Sequence, residues 1–79
     1  MKKDYLGECE KDGVSYAVLI IAENKEEAIE TYEHYMNSHK DLIMPLDYKE
    51  KVAELWFMND EDIPEEAIRE IKQYNCAIL

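Results

Sequence analysis

A chain of 79 residues with 19 acidic and 9 basic side chains carries a net charge of −10. That charge repels nucleic-acid phosphates and anionic membranes, and speaks against direct binding to either. An apolar fraction of 47%, including six Tyr, with only two Gly and two Pro, excludes a disordered polymer and fits one small domain spanning residues 1–79.

In chain order, Tyr5 to Glu10 reads as a short strand, and Lys11-Asp12-Gly13 as a hairpin turn. Val14 to Ala22, rich in β-branched and apolar residues, is the strongest strand. Asn24 with Glu27 three residues on forms a capping-box pattern. The spacing of Ala28, Ile29, Tyr32, Tyr35 and Met36 predicts a helix over residues 25–38. Residues 39–48 lack a period, contain Pro45 and read as a loop. Residues 51–58 read as the next strand. Asp62 is the expected cap of a second helix, with Pro64 in its first turn and Ile63, Ala67, Ile68 and Ile71 as its apolar stripe. Residues 76–79 read as a closing strand.

The order ββαβα, with a final β, predicts an α+β two-layer sandwich. A hairpin and right-handed crossovers between helix-linked parallel strands would make one small mixed β-sheet, with two helices on one face. The passage from Val18 to Ile29 resembles strand–turn–helix units of ferredoxin-like and other small α+β proteins, a likeness of architecture alone.

Both main strands are apolar on both sides. Ala17, Leu19 and Ile21 alternate with Tyr16, Val18 and Ile20; Ala53, Leu55 and Phe57 alternate with Val52, Trp56 and Met58, with Glu54 among the latter. A sheet solvated on one face alternates apolar with polar, so a second cover is expected: the 39–48 loop, a second copy in a homodimer, or a partner protein. The smaller set is assigned to the helix side. Tyr16, Val18, Ile20, Trp56 and Met58 are then the outer, partner-binding patch, rich in the residue types of interface centres.

Other chemistry is sparse. Cys9, His34, His39 and Cys76 lack close metal-ligand spacing, and nothing nearby completes a Cys–His catalytic pair, so no catalytic residue, metal or cofactor is expected. The tail Cys76-Ala77-Ile78-Leu79 resembles a C-a-a-X prenylation box with a geranylgeranyl-type final Leu, but lacks the upstream polybasic run. The N-terminus starts no apolar signal segment, so a cytoplasmic protein with free thiols is expected.

The broadest signal is acidic. Glu23, Glu26, Glu30 and Glu33 form a stripe along the first helix, and Asp60, Glu61, Asp62, Glu65, Glu66 and Glu70 form a second cluster. Spaced carboxylates on a rigid surface can imitate a phosphate backbone and favour a basic or nucleic-acid-binding protein partner. In size and charge the chain is similar to small acidic phage proteins that inhibit restriction or CRISPR nucleases. The expectation is a non-enzymatic interaction protein: an inhibitor acting as a DNA mimic, or an adaptor or homodimer working through its sheet face.

Overall fold

A computed structural model describes residues 1–55 and 60–79, and of Asp60 the backbone only. Strands β1 (Lys3–Lys11) and β2 (Val14–Ala22) form an antiparallel hairpin that pairs Lys11 with Val14. Asp12 and Gly13 carry the turn at positive φ, 53° and 80°, as a two-residue hairpin connection of the primed type demands. Helix α1 (Lys25–Ser38) follows; Asn24 is extended and its side chain accepts the Glu27 N–H at 2.9 Å, satisfying one orphan donor of the first turn. Then come the single-turn α2 (Tyr48–Lys51), β3 (Ala53–Leu55), a 3₁₀ turn at Asp60–Asp62, α3 (Glu65–Tyr74) and β4 (Cys76–Ile78). Asn75 ends α3 in the left-handed region at φ 58°, its N–H returning to the Ile71 carbonyl.

Two expected boundaries move. Asp62 lies in the 3₁₀ turn and does not cap α3; extended Pro64 holds the cap position without a side-chain bond. Pro64 disfavours helical backbone at Ile63, so the helix cannot start before the proline. The strand expected over residues 51–58 is Ala53–Leu55 among the described residues, and its remainder at 56–58 lies outside them.

The sheet order is β3-β1-β2-β4, with every neighbouring pair antiparallel. The fold is α+β as the sequence predicts, but the sheet is antiparallel where a mixed one is expected. Strands β2 and β3, on either side of α1, do point the same way, because each is antiparallel to β1. The hairpin leaves β1 between them, so they never pair.

The hairpin register also reverses the expected faces. Tyr5, Gly7 and Cys9 stand opposite Ile20, Val18 and Tyr16, while Asp4, Glu8 and Glu10 stand opposite Ile21, Ala17 and Ser15. The carboxylates of β1 mark the second side as the wetter one. Accordingly Val18 and Ile20 are fully buried in the core with Tyr32, Tyr35 and Met36 of α1, and Tyr16 packs half-buried against it. These three residues are therefore not an outer patch; Trp56 and Met58 lie outside the described residues. Leu42 and Val52 join the same core, with Met44 and Tyr48 packed against it. The 39–48 segment, pinned by reciprocal Glu10–Ile43 backbone bonds, thus closes the α1 side and not the second face.

Cys76 pairs with Ile20 across the sheet and is fully buried. The tail is a strand, and its thiol is sealed against a prenyl donor. Among the described residues no helix is long and apolar enough to cross a membrane.

Candidate functional site

Apart from Asp60, whose side chain lies outside the described residues, the structure divides the predicted acidic residues into two classes. Glu23, Glu26 and Glu30 are exposed: Glu23 ends the passage out of β2, and the other two stand on the solvent side of α1. Glu61, Asp62, Glu65 and Glu66 are likewise exposed, where the 3₁₀ turn leads into the first turn of α3. Carboxylates at a helix start are favoured by its dipole, so Glu26, Glu65 and Glu66 occupy positions where negative charge costs the fold least. The helix rise of about 1.5 Å per residue sets Glu26 and Glu30 roughly 6 Å apart along the axis, wider than the roughly 3.4 Å per phosphate of one DNA strand.

Glu33 and Glu70 are partly buried and bonded to other elements. Glu33 accepts the Tyr48 hydroxyl and so ties α1 to α2. That bond is the leading reason the Tyr48 phenol is raised above its ordinary value. Tyr48 in turn stacks on Tyr32 at 5.5 Å between ring centroids. Glu70 receives the Tyr35 hydroxyl at 2.9 Å and His39 Nε2 at 2.9 Å, joining α3 to α1. The sequence set these two with the outward carboxylates because helical spacing ignores a partner that arrives from another element.

Three lysines pair locally. Lys3 pairs with Glu54, Lys11 with Asp41 and Lys51 with Glu8. Surface pairs of this kind add little stability, but they offset the charge of Glu8, Asp41 and Glu54.

Other features have less chemistry to offer. Among the described residues no group of three or more His, Cys, Asp or Glu is placed to hold a metal ion. Cys9 and Cys76 are free and buried, and burial pushes both thiols up from their usual range. On the second sheet face, Leu19 and Ile21 of β2 meet Ile63, Ile68 and Ile71 across a groove of about 370 Å³, with Asp4 and Lys72 as its charged members. The α3 stripe read from the sequence thus lines a groove and is not all core; Ala67 alone of it is buried.

No family model matches the chain, and neither a curated protein nor a solved structure aligns with it significantly.

Proposed function

We propose that this chain is a non-enzymatic binder that occupies the nucleic-acid-binding surface of a basic protein with its outward carboxylates. The observation that carries the reading is the exposed set Glu23, Glu26 and Glu30, the last two on a capped helix and the first just before its cap, in a chain with net charge −10. The helix holds Glu26 and Glu30 at fixed spacing. A complementary partner gains both a faster encounter and a defined orientation from such a surface. Glu61, Asp62, Glu65 and Glu66 supply a second group of the same sign. The action is inhibition by occupancy: a groove filled by carboxylates is closed to phosphates.

The test starts from a tagged chain expressed in its native host. The captured protein is identified by mass spectrometry and then challenged with duplex DNA. The reading expects DNA and this chain to exclude one another, with affinity falling steeply between low and high salt. It also expects the triple change Glu23→Lys, Glu26→Lys, Glu30→Lys to abolish capture. A partner that holds DNA and this chain together, or an affinity indifferent to both salt and the triple change, would sink it.

A further inference from the structure

The face of the sheet turned away from α1 is apolar at its centre. The strand registers align Ala53, Leu6, Leu19 and Ala77 in one row that crosses all four strands. Directly opposite residues share a face, so this row lies on the side away from Val18 and Ile20. Leu55 and Ile21 stand beside the row at one end of the sheet. Ala17 stands beside it at the other, where its carbonyl accepts the Leu79 N–H at 2.9 Å. Burial along the row is uneven. Leu19 and Ala77 are sealed, and Leu19 shares its groove with Ile63, Ile68 and Ile71. Ala53 is exposed, and Leu6, Ala17, Leu55 and Leu79 are half-buried. The row is therefore closed at β2 and β4 and open at β1 and β3.

The width of this face suits one more helix. Strands about 4.8 Å apart put the outer strands of a four-stranded sheet roughly 14 Å from each other, and packed helices lie about 8–10 Å apart. Two helices thus fit side by side, and α3 supplies one wall through Ile68 and Ile71. Charge decides what the other must carry. On this face β1 presents Asp4, Leu6, Glu8 and Glu10. Lys51 reaches Glu8 at 2.9 Å, while Asp4 and Glu10 have no ion-pair partner among the described residues. A second copy of the chain would bring the same carboxylates to the contact and double a net charge of −10. An uncharged apolar ligand would leave them beside a dry surface with no counter-charge.

We propose that this face, walled by α3, docks an amphipathic helix of a basic partner protein, with aliphatic side chains over Leu6 and Ala17 and Lys or Arg toward Asp4 and Glu10. The match can be sized. Asp4 and Glu10 lie roughly 20 Å apart along β1, the length of about 13 helical residues. The docked helix therefore has an aliphatic stripe of about 3–4 turns with a basic residue near each end, the helix-in-groove mode of recognition. This surface is separate from the α1 carboxylates, because α1 packs on the opposite face with Val18 and Ile20. The two readings therefore stand or fall independently.

The test titrates the nitrogen-15-labelled full chain with a synthetic amphipathic helix of about 16 residues, leucine on one face and lysine on the other. A second peptide carries glutamate in place of lysine. The leucine–lysine peptide is expected to shift the amides of Leu6, Ala17, Ala53 and Leu79, and the leucine–glutamate peptide to leave them in place. Ala17→Arg and Ala53→Arg put bulk and the peptide's own sign of charge on the face, and should each weaken binding about tenfold. The triple change Glu23→Lys, Glu26→Lys, Glu30→Lys should weaken it less than about threefold at physiological salt. Shifts confined to α1 and the first turn of α3 would mean contact by charge alone and overturn the proposal, as would an absence of shifts or equal shifts from both peptides. Shifts at Leu6 and Ala17 that follow protein concentration without peptide would make a second copy the occupant and overturn it too. Should an arginine variant fail to fold, the wild-type map and the two-peptide comparison decide.

Discussion

The Tyr32 ring lies directly against Gly7: a Cβ built on Gly7 would come 3.3 Å from Tyr32 Cε1 and 3.5 Å from Ile20 Cδ1. Tyr32 has little freedom to retreat, because its hydroxyl donates to the Glu8 carbonyl and its ring is stacked on Tyr48. Gly7 is needed here for close approach and not for its backbone freedom. Gly7→Ala is expected to cost about 1 kcal/mol and Gly7→Val up to about 3 kcal/mol, the range for forcing extra carbon into a filled core. Denaturant unfolding measures both; a stabilised Gly7→Ala would mean that Tyr32 yields.

The same ring sets an alkaline limit. Burial, above all, raises the phenols of Tyr32 and Tyr35, and Tyr35 is raised further by its bond to Glu70. A raised acid is held neutral by the fold. Its contribution is complete below the unfolded tyrosine value of about 10 and is lost as pH climbs beyond that. The contribution of these phenols should therefore hold to about pH 10 and then fall, with the buried hydroxyls ionising only as far-ultraviolet dichroism is lost. Tyr32→Phe keeps the ring and removes the ionisation, so its alkaline decline should be shallower than the wild type's. Complete tyrosinate absorbance over a native dichroism spectrum would contradict this.

Much of the architecture was legible, because local chemistry dictated it. Asp12-Gly13 could only turn, Asn24 with Glu27 could cap, and the period of Ala28, Tyr32, Tyr35 and Met36 had one helical face to make. The choice of core face was misjudged, although its signal was present. A two-residue turn sets Glu8 and Glu10 beside Ala17 and Ser15, so the side with Tyr16, Val18 and Ile20 had to be the dry one. Counting apolar residues strand by strand missed this, since the answer lay in the register between strands. The Tyr35–Glu70 bond was beyond reach for another reason. Tyr35 and Glu70 are 35 residues apart, and no local pattern reports a contact made by packing α3 on α1.

The corrected core face can be tested directly. Ile20→Ala should cost about 2–5 kcal/mol, the usual loss for truncating a buried aliphatic. Val18→Asp should prevent folding, since it would bury an unpaired charge where no space reaches water. Val14→Asp, at an exposed position of the same strand, should change stability by less than about 0.5 kcal/mol. Circular dichroism during urea titration distinguishes these outcomes. A folded Val18→Asp with native stability would restore this side as an outer surface.

The sealed tail makes a chemical prediction. Desolvation raises the Cys76 thiol, and Cys9 is raised by burial and then by Asp41, so neither forms the reactive thiolate readily. At pH 8 the folded protein should leave a disulfide reagent unconsumed, and denaturant should release both cysteines of the chain to it. Rapid labelling of one thiol without denaturant would show that β4 detaches from β2 more readily than its pairing implies.

The two helix starts separate a true cap from an apparent one. Asn24 accepts the Glu27 N–H at 2.9 Å, and Asn24→Ala should cost about 0.5–2 kcal/mol. Asp62 has the same look in sequence, but Pro64 forces α3 to begin beyond its reach and leaves it exposed in the 3₁₀ turn. Asp62→Ala should therefore shift stability by less than about 0.5 kcal/mol. Thermal melts of the two variants at one pH and salt concentration make the comparison. Equal losses would mean that Asp62 spends much of its time bonded to the first turn of α3, and that the helix is reached through a different geometry from the one in which Pro64 holds the cap position.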